Sequence, residues 1–451
     1  MTESLEAAER ALAAAEGDEA EVVVHAEHSG LARFAASEIH QPTLIDNAIV
    51  RLRVVRDGRV GSATTNRLGD EGLRDLAVRA AEAADSAPKD SSFPGFAPSG
   101  ALPDVEGFDE ETAALAPEEQ ARLARAALDG AADFGLYGYV TSGVTELAVA
   151  STAGVRADQR STDVSVLVLA ADEGASGYAA ATSWRVAGVD PAAVAAEAAD
   201  KARRTRDPQP LEPGPYRAVL EAYAVAELLD YFAFDAFNGQ GFLEERSYLA
   251  GRIGERVFDE RISIADDPLD PRGLPRAIDF EGTPKQRVEL VERGVARGVV
   301  WDRTTAARAG RESTGHAVQP EYQTYGAIPV SLSLAPGDAT IEELCEAVGD
   351  GLYVTRLHYL GVVAPREGII TGMTRDGTFR VRDGKPAEPL PNLRFTVAVP
   401  EVLADVPALG RDLALVNRTD FYGERTPAAA LVPALATARF TVTGVGSGPG
   451  L

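Results

Sequence analysis

Arg206-Asp207-Pro208-Gln209-Pro210-Leu211-Glu212-Pro213-Gly214-Pro215 decides how this chain is divided. Prolines at 208, 210, 213 and 215 exclude a helix interior and a central strand, so residues 207–214 read as a linker. Before it, Asp190-Pro191 offers a cap and a first-turn proline for a helix reaching Arg204. After it, residues 216–220 read as a short strand. A helix follows, on which Val225, Leu228, Leu229, Phe232 and Ala236 form one apolar stripe. The spacing therefore predicts two domains, 1–206 and 215–451.

The N-terminal part mixes both periods. Leu5, Ala8, Leu12 and Ala15 recur as on a helix ending near Gly17, and residues 21–27 form a Val-rich strand. Val50, Leu52 and Val54 alternate with Arg51 and Arg53 before Asp57-Gly58, a two-residue hairpin signal. Leu73, Leu76, Ala77, Ala80, Ala81 and Ala84 return to helical spacing. Residues 87–108, with four prolines, read as a surface loop; 117–128 as a helix opened by Pro117; and 138–186 as an antiparallel meander.

The C-terminal part reads as strands at 262–265, 288–290, 327–334, 368–371, 378–381, 393–399 and 439–442, interrupted by one helix at 341–348. Asp376-Gly377 and Asp383-Gly384 read as turns between short strands. The fold class is α+β: an N-terminal mixed α/β domain, then a β-rich, mainly antiparallel C-terminal domain.

Composition narrows the function. The 451 residues are 45% hydrophobic, enough for a sizeable core, and carry 44 Lys and Arg against 69 Asp and Glu. A formal charge of −25 repels phosphate backbones, which argues against nucleic acid as a partner. The single cysteine, Cys345, excludes an internal disulfide framework and reads as a buried, inert thiol. An acidic N-terminus without a basic start, and apolar runs far too short for a bilayer, lead to the expectation of a cytoplasmic protein with no membrane role.

Candidate chemistry is sparse. Of five histidines only His25 and His28 are close, and residues three apart on a strand face opposite sides. His316 and His358, the latter placed just before a strand, read as hydrogen-bonded structural side chains. Asp266-Asp267 reads as turn capping before Pro268. Glu227 and Asp230 form an i, i+3 pair that reads as a solvated helix face, with Asp235 one turn on. Gly444-Val445-Gly446-Ser447-Gly448-Pro449-Gly450 lacks the following helix of a phosphate loop, so its glycines suggest close backbone approach.

Several stretches carry a resemblance. Ser247-Tyr248-Leu249-Ala250-Gly251-Arg252-Ile253-Gly254-Glu255-Arg256-Val257 and Glu281-Gly282-Thr283-Pro284-Lys285-Gln286-Arg287 resemble the TldD/TldE (PmbA) metallopeptidase family. Ser313-Thr314-Gly315-His316-Ala317 is similar to another family stretch, and the likeness covers most of the chain. In the TldD-type subunit the helix corresponding to residues 226–231 reads His-Glu-x-x-x-His. Zinc-type chemistry needs those imidazoles and an open position for water. Here the histidine positions hold Ala226 and Tyr231, and only Glu227 remains. Asp230 replaces the glycine the family usually carries before its second histidine. Cys345 is too early to be the family's C-terminal cysteine ligand.

The resemblance thus implies a TldE-like subunit with no catalytic residue and no metal of its own. Its TldD-like partner would hold the zinc-type ion, and the pair would hydrolyse small or unfolded peptides. Tyr248, Arg252, Arg256 and His316 are the candidates for contact with peptide or partner. Two other readings are open: a stand-alone peptide-binding module, either monomeric or a homodimer, and an independent metal-free hydrolase using the carboxylates of the 227–235 helix.

Overall fold

The computed structural model describes residues 2–419 and 423–446. Six antiparallel strands build the first sheet, in the order β3-β2-β1-β4-β5-β6. They are β1 (Glu19–Ala35), β2 (Glu38–Arg56), β3 (Arg59–Thr65), β4 (Gly135–Ser151), β5 (Arg156–Asp172) and β6 (Ala175–Ser183). The β2–β3 hairpin turns at Asp57-Gly58, both at positive φ, as the expected turn requires.

Helices α1 (Glu3–Ala14), α2 (Asp70–Ser86), the single turn α3 (Glu110–Ala113), α4 (Pro117–Asp129) and α5 (Pro191–Arg204) complete this half. Alternation along β1 assigns its two faces. Val22 and Val24 join the core under α1 and α2, while Ala32 and Phe34 join the core under α4 and α5. Val23, on the other face, packs with Ala277, Ile278 and Phe280 from the second half of the chain. The first sheet is thus covered by helices on one side and by the C-terminal half on the other.

The second sheet starts at β7 (Gly214–Leu220), immediately after the proline-rich linker. It continues with β8 (Ile264–Asp266), β9 (Val288–Glu292), β10 (Val295–Ala296), β11 (Leu332–Leu334), β12 (Gly351–Ala364), β13 (Ile369–Arg382), β14 (Lys385–Pro389), β15 (Leu393–Ala398), β16 (Ala408–Asn417) and β17 (Ala429–Val445). Pairing is mainly antiparallel; β7–β12 and β11–β17 are parallel. The pairings β17–β15–β13–β12–β7–β17 close a ring. Helix α6 (Ala222–Ala236) packs on β12 and β17, its whole expected apolar stripe buried. The short helices α7 (Gly239–Leu243) and α8 (Arg303–Ala309) follow, then α9 (Ile341–Val348) as expected, and α10 (Val399–Val402). No helix among the described residues is long and apolar enough to cross a membrane.

The C-terminal half departs from the sequence reading in several places, and strands β10, β12, β14 and β16 have no counterpart in it. Residues 368–371 and 378–381 belong to one strand, β13, and Asp376-Gly377 is a bulge inside it. Both residues stand opposite Thr355 alone, between the pairs Val354–Thr378 and Arg356–Arg375. A bulge and a turn share the demand for positive φ, met here at +54° and +132°. Of 327–334 only the last three residues pair as a strand, and three short helices accompany the one expected. His358 lies within β12, not before a strand. The glycine-rich end falls partly outside the described residues.

Candidate functional site

Helix α6 is regular throughout, and this fixes where its side chains go. Positions five apart diverge by roughly 140° on such a helix. Ala226 is accordingly fully buried, while Tyr231 is 37% exposed. The two positions do not face a common point.

Glu227 is turned inward, which corrects the expectation of a solvated face. At Leu220 strand β7 ends beside Val354, and the chain enters α6 while β12 runs on. The helix then serves the open edge of β12. Glu221 N–H donates to Val354 O at 2.9 Å, Thr355 Oγ1 donates to Glu221 Oε1 at 3.0 Å, and Leu357 N–H donates to Glu227 Oε2 at 2.6 Å. A carboxylate stands where a neighbouring strand would offer a carbonyl.

Charged groups gather round that contact. Arg356 Nε donates to Asp376 Oδ2 at 2.7 Å, and its guanidinium lies 4.3 Å over the ring of Tyr178. Arg418 pairs with Asp230, and Arg375 approaches Asp376 at 3.9 Å. Burial pushes Glu227 up to about 7, although Arg356, the Leu357 N–H and Arg418 favour its charged form. Burial likewise pulls Arg418 down to about 10 against the pull of Glu227. His358 falls to about 4 through burial and the charges of Arg356 and Arg375. Three guanidinium groups thus interlock with three carboxylates. Asp230 bonds Arg418, not Glu227.

This arrangement does not suit a divalent metal. The two former ligand positions diverge, and the nearest charged groups besides the carboxylates are cations. Among the described residues no group of three or more His, Cys, Asp or Glu side chains is arranged to hold an ion.

The other candidates lie elsewhere. The ring of Tyr248 stacks parallel to that of Phe258, and the Arg252 guanidinium sits 4.3 Å over Tyr248. Arg256 is exposed and donates through Nη1 to Arg293 O at 2.9 Å. His316 is only 1% exposed, which takes it away from any contact surface of this chain. Its Nε2 lies 2.9 Å from Asp266 Oδ1, and Asp266 also accepts the Ser331 N–H at 2.8 Å. Asp266 is therefore half of a sealed pair and not a turn cap; Asp267 does cap, accepting the Leu269 N–H at 3.2 Å. Asp235 pairs with Arg246 at 3.4 Å. His25 is buried on Glu424 and His28 is exposed, on opposite faces as the strand period requires. Cys345 is buried, its thiol pushed up to about 11.

Sequence reading missed Tyr178, Arg356, Asp376 and Arg418 as parts of one cluster. They come from β6, β12, β13 and the segment after β16, and only Asp376-Gly377 carried a local signal.

Family models match three consecutive segments: PmbA/TldA metallopeptidase domain 1 over residues 20–84, the central domain over 110–206, and the C-terminal domain over 213–444. The chain belongs to the PmbA/TldD family. The boundary between the second and third matches falls in the proline-rich linker, and the gap between the first and second spans the 87–108 loop. A metalloprotease of Methanothermobacter thermautotrophicus is 32% identical over 177 residues, 38% of each chain. The zinc metalloprotease TldD homolog of Saccharolobus solfataricus is 26% identical over 164 residues, 36% of each. These matches span well under two thirds of those relatives. Among solved structures, TldE from Thermococcus kodakarensis superposes with a TM-score of 0.85 at 19% identity, over 95% of this chain and 97% of that one. A Thermotoga maritima protein described as a modulator of a DNA gyrase gives 0.82 at 20% identity, over 94% and 96%. At such identities the likeness establishes the fold of this PmbA/TldD member.

Proposed function

We propose that this chain is the TldE-like, metal-free and non-catalytic subunit of a TldD/TldE-type peptidase, acting in the cytoplasm on small or unfolded peptides. A TldD-like partner would supply the zinc-type ion, and this chain would shape one wall of the peptide path. The observation that carries the reading is Glu227. The one residue left of the metal motif spends its carboxylate on the Leu357 N–H, between side chains that cannot replace the missing imidazoles. A carboxylate so held supports β12.

Co-expression with a TldD-like protein from the same genome tests this. Zinc and peptidase activity should both follow the partner, and activity should require the mixture. Stoichiometric zinc, or chelator-resistant hydrolysis lost in Glu227→Gln, in the isolated chain would overturn the assignment.

A further inference from the structure

Where the polar face of the first sheet meets the C-terminal half, a small cavity is lined by His25, Thr145, Gln159, Ser161, Arg276 and Phe280, among others. It leaves about 20 Å3 for the centre of a water-sized sphere, room for one small species. Its lining has an unmet electrostatic demand. The Arg276 guanidinium has no hydrogen-bond or ion-pair partner among the described residues, and the buried Thr145 hydroxyl has none either.

Arg276 is half-buried, and a cation partly withdrawn from water is normally given a partner, because desolvating an unpaired charge is costly. The acids nearest to Arg276 do not serve. Asp163 is held bidentately by Arg425, at 3.0 and 2.5 Å, and Asp266 by His316 and the Ser331 N–H. Gln159 is also engaged: its Oε1 accepts the Ala277 N–H at 2.5 Å, and its Nε2 donates to Pro275 O at 3.2 Å. Burial pulls the guanidinium down to about 10, which still leaves it charged at neutral pH. A planar cation and a hydroxyl thus converge on a space that no free carboxylate among the described residues fills.

We propose that this cavity binds one small monovalent anion, a halide or a carboxylate, with Arg276 as counter-charge and Thr145 as a further donor. The ligand would bridge the two halves of the chain, since Thr145 lies on β4 and Arg276 in the segment after β8. A guanidinium serves either anion.

The test follows thermal unfolding of the full chain from millimolar to near-molar sodium chloride, in wild type and in Arg276→Met. Wild type should gain roughly 2 °C more than the variant, the general salt effect cancelling in the comparison. Thr145→Val, which keeps the arginine, should show an intermediate gain and guards against misfolding of Arg276→Met. A bromide soak of wild-type crystals should give an anomalous peak beside Arg276. Acetate, a dipeptide and its C-terminal amide distinguish the sources. A larger shift with dipeptide than with amide or chloride marks a peptide terminus; a larger shift with chloride marks a free ion. Equal responses in wild type and Arg276→Met, or a cavity without bromide, would overturn the proposal.

Discussion

Glu227 Oε2 accepts the backbone N–H of Leu357 at 2.6 Å, and through that bond helix α6 takes over the strand edge that β7 leaves open. A residue whose presence suggests catalysis has here a structural task. The consequence is thermodynamic. Because Glu227 is raised from 4.5 to about 7, the folded chain holds its proton more tightly than the unfolded chain does. The associated stability is complete below the unfolded pKa and is lost as pH rises through about 7. It amounts to roughly 3 kcal/mol as an upper bound. Glu227→Gln keeps the acceptor and removes the titration. Its melting temperature should therefore fall less than that of wild type between pH 5 and pH 8 (roughly the span of the two pKa values). Parallel melting profiles would show that Glu227 is not the titrating group.

Restoring the lost imidazoles should not restore a metal site. In Ala226→His/Tyr231→His one ring would point into the core and the other toward solvent, on a helix with no distortion to bring them together. Zinc analysis after dialysis should find less than one equivalent. A full, chelator-resistant equivalent would mean that α6 can distort as the TldD-type motif requires.

Most of this was legible where the physics is local. Asp190 caps α5 by accepting the Ala192 and Ala193 N–H groups, and the linker, the Asp57-Gly58 turn and the stripe on α6 all follow from a few adjacent residues. The cluster around Glu227 was not legible, because Arg356, Asp376 and Arg418 come from separate parts of the second sheet and Tyr178 from the first, and only the packing of the two brings them together. Amphipathic periodicity also misled: Glu227 interrupts the apolar run and so looked solvated, whereas an unpaired N–H on β12 gives a buried carboxylate its place.

The bulge in β13 makes a sharp prediction. Gly377 has φ +132°, and a Cβ there would lie 2.4 Å from Thr355 Oγ1. Gly377→Ala should therefore cost about 1–3 kcal/mol in chemical denaturation. Because Asp376 next to it holds Arg356, the variant should also weaken the cluster around Glu227. Thr355→Ala relieves the close approach to Oγ1, and the double variant should recover part of the loss. An unaffected Gly377→Ala would place the bulge elsewhere along the strand.

His316 and Asp266 allow contact and support to be separated. Both side chains are buried, so a role in touching a peptide or partner predicts effects that folding cannot explain. Burial alone would raise Asp266, but His316, Lys285 and the Ser331 N–H outweigh it and leave its pKa lowered. Its contribution is therefore present above the unfolded carboxyl pKa and lost as pH falls through the folded one. Burial and the charge of Lys285 hold His316 below its ordinary value, so near neutral pH the pair is joined by a hydrogen bond and not by two full charges. Asp266→Asn should destabilise the chain by about 1–3 kcal/mol there, and the deficit should shrink in acid. Association with a TldD-like chain, measured well below the melting temperature, should be unchanged in this variant. A variant that folds normally yet fails to associate would return His316 and Asp266 to the interface.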